Sequence, residues 1–369
     1  MPTNTAAWLP AKGVKLEVGP APYTAPGAGE IVVENRAVAI NPVDWAIPLF
    51  GQMIFPWIKR PMVLGEDVAG VVVEVGPGVT RFKVGDRVVG HALGIKKEHN
   101  RPAEGAFQAY TVLVETMAAP IPDSLAFENA AVLPLGLSTA ACGLFQKDYL
   151  GLRLPSKNPA PTGKTLLVWG GSTSVGSNAI QLAVAAGYEV FTTASPRNFD
   201  YVKRLGASAA FDYNARSAVA DVIGALKGKT IAGALAIGEG SGEACMDIVH
   251  ACQGHKFVAN ASAPVSLASL PDSGGMSLSM IARFLAYNVS MAIKSRTRGV
   301  RAKFIMGDSL ASNEVGRAIY ADFLPGALAD GRFVAAPDPI IVGQGLGQIQ
   351  AAFDIQRKGV SAKKVVVSL

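Results

Sequence analysis

The residues Trp169-Gly170-Gly171-Ser172-Thr173-Ser174-Val175-Gly176 stand between an apolar run, TLLVW, and a helix-forming stretch near Ser177–Ala186. Glycines let a backbone turn sharply and approach a pyrophosphate, while the N-terminus of the following helix offers free N–H groups and a positive dipole end. A glycine-rich loop alone is a weak signal; with a strand before it and a helix after it, it reads as a dinucleotide cradle. The next strand selects the cofactor, because a carboxylate about 20 residues on would accept bonds from a ribose 2′-OH. Here TTASPRNFD puts Ser195, Arg197 and Asn198 at that place. A hydroxyl and a guanidinium suit a 2′-phosphate, so the expected cofactor is NADPH. The plainer reading, Arg197 as a solvated loop charge, is set aside because the acidic residue that NAD would need is missing.

A second chemical pattern is VLGEDVAG, with Glu66 beside Asp67. A catalytic zinc takes about three protein ligands from Cys, His or carboxylate and leaves one position open. The chain has no cysteine before Cys142, and the only imidazoles near these carboxylates in sequence are His91 and His99. Nothing in their spacing fits a metal geometry, so no metal site is expected. His91 reads as following a strand and His99 as exposed in a polar loop; His250 and His255 flank a helix end and read as structural. Cys142, Cys245 and Cys252 match neither a zinc site nor a disulfide framework, and a reducing compartment is the default. No Ser/His/Asp arrangement with a GxSxG elbow occurs.

Elements must position these residues. The first third consists of short β-branched runs, Ile31–Glu34, Val68–Val75, Arg87–Val89 and Tyr110–Val114, separated by turns such as VGPGV and VGD. That pattern predicts an antiparallel, barrel-like domain. From Thr165 the rhythm becomes apolar run, glycine loop, helix, apolar run, the βαβ unit of a doubly wound parallel sheet. Helices are expected near Asn198–Leu205, Ala218–Leu226, Gly242–Ala251 and Glu314–Ala329, and strands in ASAAFDY, GALAIG and HKFVANA. GLRLPSKNPAPTGK reads as a surface loop. The tail, with PDPIIVGQG and KKVVVSL, is β-rich and is expected to complete the first domain. The predicted division is 1–130 for the first part of a catalytic β domain, 131–310 for the dinucleotide-binding domain and 311–369 for the returning catalytic part. A length of 369 residues agrees with two domains.

The bulk properties exclude other classes. Half the residues are hydrophobic, 17% are charged and the mean hydropathy is +0.29, which describes a globular chain. The net charge of +6 comes from scattered basic residues without a nucleic-acid motif, and suits an anionic cofactor better than a nucleic acid. No run of about 18 apolar residues predicts a membrane span. The N-terminus lacks a secretory signal pattern, so the cytoplasm is the expected location.

Taken together, AINPVDW, VLGEDVAG, VGDRVVG, GAFQAY, PLGLSTA, VWGGSTSVG, TASPRNFDYVKRLGA, FDY and the closing RKGVSAKKVVVSL carry a resemblance over essentially the whole chain. The sequence resembles the zinc-free branch of the medium-chain dehydrogenase/reductases, the quinone oxidoreductase-like proteins and fungal trans-acting enoyl reductases. The resemblance implies an α/β protein with a GroES-like β-barrel domain and a Rossmann domain. It places the backbone of Pro42, Val43, Asp44 and Trp45, together with Thr139, beside the nicotinamide. It implies Gly171, Ser172, Thr173, Ser174 and Val175 as the pyrophosphate loop, Ser195 to Asn198 as the 2′-phosphate site, and Tyr213 as a further phosphate neighbour. Ile237, Asn260, Ala261, Ile340 and Ile341 fall where relatives approach the nicotinamide end, and Met280 to Phe284 match a substrate-pocket wall. Where zinc-containing relatives carry a His between Gly and the acidic residue, this chain has Glu66, and the four-cysteine structural zinc loop has no counterpart in HALGIKKEHNRPAEGAF.

Without a metal to polarise a carbonyl, the expected substrate is one that accepts hydride readily, an enone, an enoyl group or a quinone. Asn41, Tyr110 and Thr139 are the expected hydrogen-bond donors to the developing enolate. Many enoyl reductases follow NPxDx with Lys; here the residue is Ala46, with Lys59 and Arg60 further along as weaker substitutes. Alternatives are a quinone reductase, a zinc-free aldehyde or alcohol oxidoreductase, and an NADPH-binding partner protein without turnover of its own. A polyketide synthase or acyl carrier is the alternative partner to a small-molecule substrate alone; the basic run Lys294–Lys303 reads first as a solvated face and second as a dock for an acidic carrier domain or a membrane surface, and the chain is expected as a monomer or homodimer.

Overall fold

The computed structural model describes residues 2–262 and 278–369, apart from the side chains at 52–54 and 279. The chain divides into two compact units, one holding residues 1–135 and 311–369, the other residues 136–262 and 278–310 of those described.

The first unit is built on strands β1 (Asn4–Leu9), β2 (Glu17–Ala21), β3 (Glu30–Ala39), β4 (Met62–Val63), β5 (Asp67–Val75), β6 (Arg87–His91), β7 (Tyr110–Val114) and β8 (Ala118–Pro120). A small sheet runs β2-β1-β4, and a seven-stranded sheet includes β3, β5, β6, β7 and β8. Two strands from the end of the chain, β16 (Asp338–Gln344) and β17 (Lys363–Ser368), extend that sheet, β17 pairing antiparallel with β3. Consecutive residues of these strands are buried, Ile31, Val32 and Val33 in β3 and Val68 and Ala69 in β5, so both faces of the sheet are covered there. Helix α1 (Pro42–Ile54) follows β3 directly. Its start was not legible as helical, yet Asn41 is a good N-cap, Pro42 suits the first helical position, and the Asp44 carboxylate accepts the Asn41 backbone N–H at 2.7 Å.

The second unit is a parallel sheet of β9 (Lys164–Trp169), β10 (Glu189–Ala194), β11 (Ala209–Asp212), β12 (Thr230–Ala236), β13 (Gln253–Gly254), β14 (Phe257–Asn260) and β15 (Arg301–Phe304). Its spatial order is β11-β10-β9-β12-β14-β15, with β13 beside β12. Apart from β13 this is the doubly wound order, whose strand sequence reverses between β9 and β12 and opens a crevice at their carboxyl ends. Helices α4 (Ser174–Ala185), α5 (Phe199–Arg204), α6 (Ala218–Ala225) and α7 (Ser241–Ala251) connect the strands, and a core of Leu167, Val222, Ile231, Met246, Val249 and Val258 packs α6 and α7 against the sheet.

Several sequence expectations shift. Helix α4 begins at Ser174, three residues early, because Thr173 caps it by accepting from the Gly176 N–H at 3.0 Å. The helix expected over Glu314–Ala329 is interrupted: Glu314–Arg317 and Leu324–Ala329 are α-helical, and the six residues between them form a π-helical turn. Pro325, with no N–H to give, follows that turn. Helices over Pro134–Phe145 (α3), Leu278–Arg298 (α8) and Ile349–Lys358 (α11) were not anticipated. No described helix is long and apolar enough to cross a membrane.

Candidate functional site

In the second unit, the expected cofactor residues gather at the carboxyl ends of neighbouring strands. The loop after β9 is held by the Gly170 N–H on Thr193 Oγ1 (3.0 Å) and the Gly171 N–H on the Thr193 carbonyl (2.9 Å). A side chain is excluded from it: a Cβ on Gly171 would lie 2.1 Å from Thr192 Oγ1, and one on Gly176 would lie 2.2 Å from the Gly170 carbonyl oxygen. Those contacts bring the turn against β9 and β10 and leave Ser172, Thr173, Ser174 and Val175 partly or fully exposed at the helix start. A pyrophosphate fits such a bare, positively poled turn. At the end of β10, Ser195 Oγ lies 3.2 Å from the Tyr213 hydroxyl, which follows β11, and Arg197 is exposed beside them while Asn198 is buried. No carboxylate occupies this strand end. Three adjacent strands thus carry the loop, the Ser195–Arg197 pair and Tyr213 in a row.

The other side of the strand-order reversal holds the remaining second-unit residues. The Ile237 N–H donates to the Trp169 carbonyl (3.0 Å), and the Ala261 N–H to the Ala236 carbonyl (2.8 Å), so the ends of β9, β12 and β14 are tied together. Asn260 donates to the Tyr287 hydroxyl at 2.9 Å and accepts from the Ser262 N–H at 3.1 Å. Tyr287 lies on α8, a turn beyond Phe284 and two beyond Met280, so the predicted pocket wall borders the β14 end. Burial raises the Tyr287 pKa and keeps its hydroxyl protonated. Thr139, in α3, is half-buried, and a Cβ on Gly307 would come within 2.7 Å of its Oγ1. Burial pushes the Cys142 thiol up to about 11 and raises Cys245 and Cys252 as well, which favours the protonated thiol at all three.

In the first unit, α1 begins over a buried cluster of charges. Asp67 is fully buried; its Oδ2 accepts from Asn41 Nδ2 and from the Lys364 ammonium, each at 2.8 Å, and its Oδ1 accepts from the Leu135 N–H at 2.6 Å. Lys364 also donates to Asn41 Oδ1 at 2.5 Å. Glu66 lies 3.8 Å from His91, which stands opposite Asp67 in the β5–β6 register. Burial first, then the Glu66 charge, raises the Asp44 pKa well above the usual carboxylate range. Among the described residues no group of three or more His, Cys, Asp or Glu has the arrangement to hold a metal. The cation that meets these carboxylates is the chain's own lysine.

Two of the expected donors lie in this unit. Asn41 has its amide engaged at both ends, by Asp67 and by Lys364. Tyr110 is not brought to Asn41: it stands opposite Glu34, five residues before Ala39 on β3, or roughly 17 Å from the cluster end of the strand. Its ring meets Tyr23 edge-on at 5.4 Å. The Trp45 indole N–H donates to Gln356 on α11, and Ala46 is buried. Pro42 is exposed and Val43 half-buried on the first turn of α1, while Ile340 and Ile341 on β16 pair with Val365 and Val366, next to Lys364. Sequence reasoning missed Lys364 and Tyr287. The available signal for Lys364 was the doublet Lys363-Lys364 opening an apolar strand, since alternation must point one of the two inward.

An antiparallel β domain completed by the last strands, joined in one chain to a doubly wound parallel sheet with a glycine-rich first turn, defines a nicotinamide-dependent oxidoreductase of medium-chain architecture. The comparisons agree with it. Residues 27–123 match the alcohol dehydrogenase GroES-like domain family. The chain is 56% identical to the dehydrogenase pigH of Monascus ruber, with all of both chains covered. It is 39% identical to the trans-enoyl reductase himH of Aspergillus japonicus, over 99% of this chain and 97% of that one. Among solved structures, the CurK enoyl reductase superposes with a TM-score of 0.72 at 20% identity, covering 99% of each chain, a likeness of fold. The chain belongs to the medium-chain dehydrogenase/reductase superfamily and is an oxidoreductase of that family.

Proposed function

We propose that this chain is an NADPH-dependent, zinc-independent reductase that delivers hydride to an activated C=C, that of an enone or an enoyl group. The observation that carries the reading is the buried cluster at the start of α1, where the Lys364 ammonium neutralises Asp67 between Asn41 and the Glu66–His91 pair. A carboxylate already paired with a resident ammonium is a poor ligand for a divalent ion, so the substrate must accept hydride without a Lewis acid. A conjugated alkene does so, since its carbonyl takes up the developing charge. The relatives named trans-enoyl reductase support the same class.

When bound, the nicotinamide supplies the hydride. The chain's own residues do the rest. Gly171 to Val175 and the α4 N-terminus hold the pyrophosphate, while Ser195, Arg197 and Tyr213 take the 2′-phosphate, Arg197 as a charge-assisted donor. Thr139, a half-buried hydroxyl, is the donor we assign to the substrate oxygen, with solvent completing the proton count. Asn41 and Lys364 position the first turn of α1.

The test is NADPH oxidation by the metal-stripped protein against an enone, an enoyl thioester, a quinone and an aldehyde, with NADH as control. Turnover of the enone or thioester with NADPH, unchanged by added zinc, is the expected result. A requirement for zinc, or turnover of the aldehyde alone, overturns the reading; turnover of the quinone alone reassigns the substrate class. Turnover of an acyl group only when it is tethered to a carrier protein would identify a synthase partner.

A further inference from the structure

A hollow of about 400 Å³ lies within the first unit, between the exposed strap at residues 13–15, helix α1 and helix α11. The strap turns at Gly13, whose φ of +73° suits glycine, and it is tied down at two points. The Gly13 N–H donates to the Pro48 carbonyl at 2.9 Å, and the Leu16 N–H donates to Gln350 Oε1 at 3.3 Å. The hollow lies beside these ties. Its floor is apolar, built from Trp45, Pro48 and Leu49, which share one face of α1 by their spacing of three and four, and from Phe353 on α11. Trp45 and Phe353 are buried and the Trp45 indole N–H is engaged by Gln356, so the floor presents carbon and no spare donor. A volume of this size falls in the small-molecule range, about 300–1,000 Å³.

The rim of the hollow carries both signs of charge. Lys15 stands on the strap, and Asp354 and Arg357 stand one turn apart on α11, with the Arg357 guanidinium 5.5 Å from the centre of the Trp45 ring. Lys15 and Asp354 are exposed, and neither forms an ion pair among the described residues. That mixture decides the ligand. A simple carboxylate on this floor meets Asp354 as a like charge, and a simple amine meets Lys15 and Arg357 as like charges. A neutral apolar molecule leaves all three without a counterpart. A zwitterion with an apolar body matches every group: its anionic end faces the two cations, its cationic end faces the carboxylate, and its carbon rests on the floor. An α-amino acid with an apolar side chain is the simplest molecule of that kind.

We propose that this hollow binds a free apolar α-amino acid, with the side chain over Trp45 and Phe353, the carboxylate between Lys15 and Arg357 and the ammonium on Asp354. The proposal is independent of which substrate the reductase takes. The experiment is calorimetric titration of the full chain with L-phenylalanine as the probe, beside 3-phenylpropionate, which lacks the ammonium, and phenethylamine, which lacks the carboxylate. Phenylalanine should bind with a Kd of about 1 mM or tighter, a value in keeping with its size, and each analogue about threefold or more weaker. Asp354→Asn should weaken phenylalanine and tighten 3-phenylpropionate, since it removes the ammonium's partner and the like charge together; Lys15→Gln should weaken both. Both positions are exposed, so native circular dichroism and an unchanged NADPH titration are expected of each variant. No heat from phenylalanine up to about 10 mM overturns the proposal, as do equal binding of the three probes and phenylalanine binding that neither variant alters. Displacement of phenylalanine by NADPH also overturns it, by moving the amino acid to the cofactor site.

Discussion

The glycine loop after β9 and the charge cluster beneath α1 do their work by opposite means. The loop is shaped by what it omits: at Gly171 and Gly176 any Cβ would collide with Thr192 or with the loop's own backbone, and that bare turn is the cradle we propose for a phosphate. The cluster functions by what it matches, a lysine, an amide and carboxylates brought from β17, the turn before α1 and β5. A site made of backbone tolerates change in its neighbours but not an added atom. A site made of buried charges tolerates paired neutralisation but not the loss of one partner.

The largest expected effect is on the cluster. Lys364→Met leaves Asp67 buried without its cation and should cost about 3–5 kcal/mol in urea unfolding. Adding Asp67→Asn to that variant should restore much of the loss; a double variant as unstable as the single one would mean that packing, not charge, holds this region. Next is the loop. Gly176→Val should raise the NADPH Kd at least tenfold in a fluorescence titration, with about 1–3 kcal/mol of packing cost. Equal binding by the variant would break the backbone-cradle description.

Arg197→Ala sharpens the same contrast from the side-chain end. It should weaken NADPH about tenfold and leave NADH unchanged if, as we propose, the exposed guanidinium bonds the 2′-phosphate alone. Equal losses for both cofactors would move Arg197 out of that subsite. The smallest effect belongs to Asp44. Its folded pKa is raised, so its contribution to stability is full at acid pH and is lost as pH climbs through the folded value. Asp44→Asn, neutral throughout, should unfold within about 0.5 kcal/mol of wild type at about pH 3.5, where the unfolded carboxyl is protonated as well, and be the more stable of the two at pH 9. A variant less stable than wild type at pH 9 would show that Asp44 is ionised there.

What the sequence alone determined lies mostly in local grammar. TLLVWGGSTSVG needs no distant residue to be a strand, turn and helix, because its glycines and its Thr cap act within one βα unit. The absence of an acid after β10 was likewise plain, since Ser195 to Asn198 follow one strand by simple counting. The β-branched runs 31–34 and 68–75, set off by glycine turns, announced strands for the same reason, as strand composition and turn residues are local properties. The cluster could not be read this way. Asn41, Asp67 and Lys364 are separated by 26 and 297 residues, and only the antiparallel pairing of β17 with β3, and of β3 with β5, brings them together. Tyr110 shows the converse, a plausible donor by motif that the strand register carries away from Asn41.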